Sequence, residues 1–148
     1  MLTLLHGLQP PIIVRDLQPS NLIVKATGHL GLIDLGISKV LDAATGGGTV
    51  AAARHRVTHG FGAPEMYVGH CDVRSDIYSL GATFYHALTG AIPPSGMERL
   101  SSMARLSTVR SLRPDVSGAL GTCLEQMLAV DRSRRPASVT EALHPLLH

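Results

Sequence analysis

Val14-Arg15-Asp16-Leu17-Gln18-Pro19-Ser20-Asn21 places a carboxylate and a carboxamide five positions apart in a loop that contains a proline. Asp34 follows thirteen residues after Asn21, at the end of an apolar run and before Leu35-Gly36. Ala63-Pro64-Glu65 comes later. Each acidic or amide residue alone could be an ordinary turn or cap residue. The order of the three segments is more informative, because separate motifs support one another when they occur in the expected context.

Composition indicates one globular domain. A chain of 148 residues can bury a real core, and 45% hydrophobic with 16% charged residues argues against disorder. Aromatic residues make up 3% of the chain, so aliphatic side chains must fill most of that core. The net charge of +2 is too small to indicate a nucleic-acid partner.

The sequence carries no strong sign of a membrane or an oxidising compartment. Cys71 and Cys123 are far apart, which favours two small buried residues over a disulfide or a metal site. No apolar run is long enough to span a bilayer. The start, residues 1–7, lacks the basic region and long apolar core of a secretory signal. We therefore expect a cytoplasmic protein with no membrane and no nucleic-acid partner.

Local patterns predict a small hairpin followed by helices. Residues 1–8 read as the end of a helix that Gln9-Pro10-Pro11 stops, and the β-rich runs 22–25 and 30–33 predict a hairpin. Residues 42–59 read as a long loop. Apolar spacings of three and four, with Gly90 at the end of the first run, predict helices whose apolar residues form the core. These residues are Ile77, Leu80, Phe84 and Leu88, then Leu120, Leu124, Met127 and Leu128, then Val139, Ala142, Leu143 and Leu146. Ser95 with Glu98 and Ser138 with Glu141 are possible capping boxes.

The three motifs, in this order, resemble those of the eukaryotic-like Ser/Thr protein kinase family. The resemblance runs essentially from end to end and covers the family's C-terminal lobe. It implies a mainly α fold, a protein kinase-like C-lobe in which a helical bundle carries a small β-hairpin at the catalytic and metal loops. It also implies one partial kinase domain over residues 1–148. Its parts would be a catalytic loop at 14–21, an activation segment at 34–65 and a helical subdomain at 72–148.

The resemblance implies transfer of the ATP γ-phosphoryl group to a Ser or Thr hydroxyl, with ATP and Mg²⁺ as cofactors. Asp16 would accept the substrate hydroxyl, and Thr58 would contact Asp16. Asn21 and Asp34 would bind Mg²⁺, which prefers such oxygen ligands. A hairpin between Asn21 and Asp34 would return the chain to the same end, so that the two ligands can converge.

Further residues match family positions with structural roles. Ile23 would be the apolar floor under the adenine ring, or plain core. Glu65 would pair with Arg135. Asp76 would hold the backbone amides of the catalytic loop, or serve as an ordinary acid at a helix N-terminus. Arg15 would receive a phosphorylated threonine of the loop, unless the loop threonines are inert.

Three positions depart from the family pattern. Val14 stands in place of the usual His, and Leu35 in place of the usual Phe. Gln18 replaces the Lys that contacts the transferring phosphate. A neutral donor stabilises developing phosphoryl charge less than a cation does, so we expect weakened chemistry.

The family's Gly-rich loop and strand Lys belong to an N-lobe that residues 1–14 cannot contain. We expect half of an ATP site, with an exposed apolar patch that invites association. The missing N-lobe or a partner protein would cover the exposed nucleotide face, and the isolated chain would have little or no activity. The alternatives are a non-catalytic pseudokinase-type interaction module and a truncated gene product. The protein substrate is not defined by the sequence.

Overall fold

The computed structural model describes residues 1–33 and 57–147, and this part of the chain is mainly helical with one two-stranded sheet. The helices are α1 (Leu2–His6), α2 (Val73–Thr89), α3 (Gly96–Leu100), α4 (Val109–Leu112), α5 (Gly118–Met127) and α6 (Val139–Leu143). The strands are β1 (Leu22–Val24) and β2 (Leu30–Leu32). Short 3₁₀ turns lie at Pro19–Asn21, Pro64–Val68, Arg132–Arg134 and His144–Leu146. The predicted fold class, mainly α with a small hairpin, is confirmed.

The hairpin forms where the sequence predicts it. Strands β1 and β2 pair antiparallel, with Ile23 opposite Gly31. Gly28 closes the turn at φ +81°, a conformation that glycine adopts without steric cost. Beyond the strands, the N–H of Ile33 donates to the carbonyl oxygen of Asn21 at 2.8 Å. The hairpin therefore returns the chain to the end of the predicted catalytic loop.

Helix α2 is the long central helix, and it begins at Val73, four residues before Ile77, the first residue of the predicted apolar run. The Asp72 carboxylate accepts hydrogen bonds from the N–H groups of Arg74 at 2.9 Å and Ser75 at 3.1 Å. These bonds satisfy donors that would otherwise be unpaired at the helix start. The helix ends at Gly90 as predicted, with a left-handed φ of 74°.

Both predicted capping sites start helices. At α3 the exchange is reciprocal, because the N–H of Ser95 donates to Glu98 Oε2 at 2.8 Å and the N–H of Glu98 donates to Ser95 Oγ at 3.2 Å. At α6 the N–H of Glu141 donates to Ser138 Oγ at 3.0 Å. The Glu141 carboxylate instead accepts from the N–H of Ala137 at 2.7 Å, so this second box is shifted by one residue.

The core lies where α2 packs against α5. Ile77, Leu124 and Met127 are essentially inaccessible to solvent, as their helical spacing predicts. Gly81 permits the close approach, since a Cβ atom there would lie 2.8 Å from the Cβ of Met127. Four predicted core residues, Leu80, Phe84, Leu88 and Leu120, are partly buried against this core.

The prediction that Leu143 and Leu146 belong to the core is wrong, because they are 38% and 36% exposed. Helix α6 is five residues long and turns Val139 and Ala142 toward the core. One helical turn has a single inward face, so the other apolar residues near it face solvent.

Large apolar side chains are exposed on the hairpin. Ile23 is 47% exposed, and Val24, Leu30 and Ile33 are also exposed. We call these four residues the hairpin apolar surface. Throughout residues 1–33 and 57–147, the structure contains no helix with the length and hydrophobicity needed to cross a membrane.

Candidate active site around Asp16

Two carboxamides hold the Asp16 side chain. Gln18 Nε2 donates to Asp16 Oδ1 at 2.9 Å. Asn21 Nδ2 donates to Asp16 Oδ2 at 3.0 Å and to the Asp16 carbonyl oxygen at 2.9 Å. The 3₁₀ turn at Pro19–Asn21 brings Asn21 back toward Asp16. A carboxylate fixed in this way can accept a hydrogen bond from a hydroxyl without reorganising first.

The loop is attached to α2 by two kinds of contact. Leu17 is 2% exposed and packs into the core. The Thr83 hydroxyl donates to the Ser79 carbonyl oxygen at 2.9 Å and lies 3.5 Å from the Leu17 carbonyl oxygen. The backbone directly after Asp16 therefore packs against the central helix.

Asp76 makes the second attachment. Its side chain is fully buried, and its carboxylate accepts from the N–H of Val14 at 2.7 Å and of Arg15 at 2.8 Å. These two hydrogen bonds join Asp76 to the loop amides, the contact that the family resemblance implies. Asp76 also lies in the first turn of α2, where an acidic residue is common. Its carboxylate nevertheless accepts hydrogen bonds from the catalytic loop. The backbone that Asp76 holds has an uncommon conformation at Arg15. Its φ of 66° lies in the left-handed region, which residues other than glycine rarely adopt.

His6 also belongs to this cluster, although no sequence motif indicates it. His6 Nε2 lies 2.9 Å from Asp76 Oδ2, and the His6 side chain is 7% exposed. A lone histidine at the end of a short apolar helix gives no signal of a contact 70 positions away. Its role emerges from the fold alone.

The predicted pair of Glu65 and Arg135 is present and bidentate. Arg135 Nη1 donates to Glu65 Oε1 at 2.6 Å, and Nη2 donates to Oε2 at 2.9 Å. The remaining Arg135 donors reach carbonyl oxygens: Nε that of Ala129, Nη1 that of Arg74 and Nη2 that of Val130. All five N–H groups of the guanidinium are thus used.

The environment of Glu65 favours its charged form. Burial alone would raise the pKa of Glu65, but the hydrogen bond from Arg135 and further hydrogen bonds lower it below its ordinary value. The Arg135 guanidinium also lies 4.9 Å from the centre of the Tyr78 ring. The Ser75 hydroxyl donates to Glu65 Oε1 at 2.8 Å and accepts from the N–H of Asp72 at 3.2 Å.

Other predicted site residues have less support from the geometry. Thr58 uses its carbonyl oxygen to accept from the N–H groups of Phe61 and Gly62, and its predicted contact with Asp16 stays a prediction. Ile23 is too exposed for the plain core reading and is free to face a ligand. Asp34 lies outside the described residues. So does most of the predicted activation segment, residues 34–56.

The described half of the predicted metal site fits Mg²⁺ chemically. Asn21 points its nitrogen at Asp16, which leaves its amide oxygen as the atom available to a cation. A carboxamide oxygen and a carboxylate form the hard oxygen donor set that Mg²⁺ prefers. The backbone hydrogen bond between Asn21 and Ile33 places Ile33 next to Asn21, and Ile33 directly precedes Asp34 in the chain.

This fold is shared with known protein kinases. Residues 2–147 match the family model of the protein kinase domain, and the chain belongs to this family. The solved structure of PpkA-294 in its apo form superposes with a TM-score of 0.77 at 22% identity, which shows the fold. That match covers 98% of this chain and 49% of the other.

Curated relatives are Ser/Thr kinases. Serine/threonine-protein kinase PBL34 of Arabidopsis thaliana is 32% identical over 160 residues, covering 93% of this chain and 32% of the relative. An EPD1-interacting receptor-like cytoplasmic serine/threonine-protein kinase of Nicotiana benthamiana is 37% identical over 90 residues, covering 60% and 19%. The chain thus spans about a third or less of these relatives.

Proposed function

We propose that this chain is the catalytic lobe of a Ser/Thr protein kinase, in which Asp16 receives the hydroxyl proton of a Ser or Thr substrate. The observation that carries the proposal is the fixation of Asp16, whose carboxylate is held by Gln18 and Asn21. The backbone before it is held by Asp76. A loop fixed at both its backbone and its carboxylate suits in-line phosphoryl transfer, which depends mainly on positioning and electrostatics.

ATP and Mg²⁺ are the proposed cofactors. Asn21 and Asp34 would hold the metal, which would neutralise phosphate charge when bound. Ile23, exposed on β1, would lie under the adenine ring. Thr58 would contact Asp16 and help to hold it in place. Thr58 lies in the segment that ends at Glu65, and Arg135 holds Glu65.

Gln18 makes the proposed activity weaker than that of a kinase with Lys at this position. Its amide is already engaged with Asp16 and carries no charge. A neutral donor offers less stabilisation to a transferring phosphoryl group than an ammonium does. We expect phosphorylation by this chain to be slow for that reason.

The proposed partner of the nucleotide face is a small lobe carrying the phosphate-binding elements. The hairpin apolar surface supplies the contact area, since exposed apolar side chains that adjoin a proposed ligand site favour a covering partner. The solved relative contains about as much chain again as the part matched here. The proposed location is cytoplasmic, as for the receptor-like cytoplasmic kinase of Nicotiana benthamiana.

A non-catalytic interaction module is the second candidate. The engagement of Gln18 with Asp16 favours it, because no cation from this loop position reaches the phosphates. The hairpin apolar surface would then bind a partner without nucleotide.

Titration with Mg·ATP distinguishes the two. A catalytic lobe should be stabilised against thermal unfolding by Mg·ATP, and the effect should disappear in Asn21→Ala and Asp34→Ala. Asp115→Asn is the matched control, since Asp115 is exposed and bonds to Arg113 in a different region. ATP-dependent labelling of a Ser/Thr peptide mixture, lost in Asp16→Asn, would then test catalysis. Absence of Mg·ATP stabilisation in the wild-type chain would favour the interaction module, whereas stabilisation without labelling would fit a catalytic lobe that lacks its small lobe.

A further inference from the structure

We propose that a cavity between α3 and α5 binds a short protein segment in which an acidic and a basic residue are neighbours in sequence. The volume of the cavity is about 390 Å³, within the range of about 300–1,000 Å³ that is usual for ligand pockets. Its lining comes from Arg99 of α3, from one face of α5 and from the segment that contains the turn Arg132–Arg134. Asp16, Gln18 and Asn21 do not line it, so this site is separate from the candidate active site and does not depend on the proposed function.

Arg99 is held at the cavity by the end of α5. Its Nη1 donates to the Leu128 carbonyl oxygen at 2.7 Å and lies 3.4 Å from the Tyr78 hydroxyl oxygen. Its Nε and Nη2 make no hydrogen bond within residues 1–33 and 57–147, and both atoms are accessible to solvent. A guanidinium that is fixed on one side presents its other N–H groups as a rigid fork, which binds a carboxylate through two hydrogen bonds.

Glu125 brings the opposite charge to the same cavity. It lies on the face of α5 that also carries Thr122 and Gln126, because residues three and four apart share one side of a helix. Its carboxylate makes no hydrogen bond or ion pair in the described part of the chain. Burial raises the pKa of Tyr85, and Arg99 lowers it while Glu125 raises it, so both charges lie near this hydroxyl. The cavity thus contains a cation and an anion that do not pair with each other.

The balance of charge on the lining defines the chemistry of the ligand. Asp131 and Arg134 add one further charge of each sign, so the four charged side chains sum to zero. A phosphate group that reached Arg99 would also lie near two carboxylates, which repel it. A ligand with one carboxylate and one cation matches both signs.

The positions of the two unpaired charges favour neighbouring residues in that ligand. Successive side chains of an extended segment point to opposite sides. Arg99 comes from α3 and Glu125 from α5, so an acidic residue and its basic neighbour can reach them together. The side chains of Thr122 and Gln126 line the same cavity, and their polar atoms can hydrogen-bond the backbone of the segment.

NMR titration of the 148-residue chain with capped dipeptides tests the proposal. Glu-Lys and Lys-Glu are the probes, because together they cover both directions of the bound segment. The amide signals of Thr122, Gln126 and Ala129 should shift with at least one of them. The capped dipeptides Gln-Lys and Glu-Gln carry a single charge, and each should bind about tenfold more weakly, as expected for the loss of one charge-assisted contact.

Glu125→Gln is the decisive variant, because it removes one charge and breaks no hydrogen bond in the described part of the chain. It should weaken binding of the dipeptide with both charges about tenfold and leave binding of Glu-Gln unchanged. Arg99→Met should weaken both, although it also removes the bond to the Leu128 carbonyl oxygen. Asp115→Asn, outside the cavity, is the control and should bind like the wild type.

Three results would overturn the proposal. The first is no shift at Thr122, Gln126 and Ala129 with either dipeptide up to its solubility limit. The second is equal binding of the doubly and singly charged dipeptides, or an unchanged affinity in Glu125→Gln. The third is tighter binding of inorganic phosphate than of both dipeptides at these amides, which would show a plain anion site.

Discussion

Replacing Arg135 should destabilise the protein more than replacing any exposed arginine. Arg135 is fully buried, makes five hydrogen bonds and forms a bidentate pair with Glu65, whose side chain is 16% exposed. Arg135→Met leaves the Glu65 carboxylate buried, with the Ser75 hydroxyl as its remaining side-chain partner. Removing one member of a buried pair costs about 3–5 kcal/mol, which is a large part of the stability of a small domain.

Arg135→Lys should lower the free energy of unfolding by less than Arg135→Met does. An ammonium has three donors and no planar fork, so at least two of the five hydrogen bonds are lost. At about 1–1.5 kcal/mol for each net bond, Arg135→Lys should cost about 2–3 kcal/mol, less than Arg135→Met. The expected order of stability is wild type, then Arg135→Lys, then Arg135→Met.

Urea unfolding followed by circular dichroism measures these costs, with Glu65→Gln and the double variants completing a mutant cycle. Arg113→Met is the matched control, because Arg113 pairs with Asp115 on the exposed surface, and its unfolding midpoint should stay near that of the wild type. A cost of less than about 1 kcal/mol for Arg135→Met, or a cycle without coupling between Arg135 and Glu65, would show that this buried pair does not stabilise the fold.

Three further predictions concern the same scaffold. The lowered pKa of Glu65 means that its ionised form contributes stability above the ordinary value of 4.5, and that this contribution is lost as the pH falls through the lowered pKa. Acid titration of the unfolding free energy should therefore be steeper below pH 4.5 for the wild type than for Glu65→Gln, and equal slopes would contradict this. Gly81→Ala should cost about 1–3 kcal/mol in urea, since its Cβ would lie 2.8 Å from that of Met127; a variant as stable as the wild type would show that the helices can separate freely. Ser95→Ala should cost about 1 kcal/mol through loss of the α3 cap, while Ser95→Asp should retain most of the stability.

Local patterns were sufficient to predict most of the fold. The hairpin, helices α2, α3, α5 and α6, and both capping serines follow from short-range spacing, and the structure confirms them. Helix α4 was missed because its four residues are too few for an apolar period to emerge. Leu143 and Leu146 were placed in the core because periodicity does not show where a packed face ends.

The candidate site also contains contacts that the sequence predicts and contacts that it does not. The pair of Glu65 with Arg135 and the bonds from Asp76 to the loop were predicted through the family resemblance, and the contacts are present. No local spacing indicates the hydrogen bond of His6, since it depends on how the fold brings the end of α1 to the start of α2. Gln18 stands where the family has the Lys that contacts the transferring phosphate, and its bond to Asp16 is a contact that no sequence pattern indicates.

The Ser75 hydroxyl couples the position of Glu65 to the first turn of α2. This hydroxyl donates a hydrogen bond to Glu65, and it accepts one from the backbone N–H of Asp72 at the start of α2. Fraying of the first turn of α2 would therefore weaken the anchor of Glu65 at the same moment. The Pro64–Val68 turn and the beginning of α2 should thus open as one cooperative unit, with a shared protection factor in hydrogen exchange.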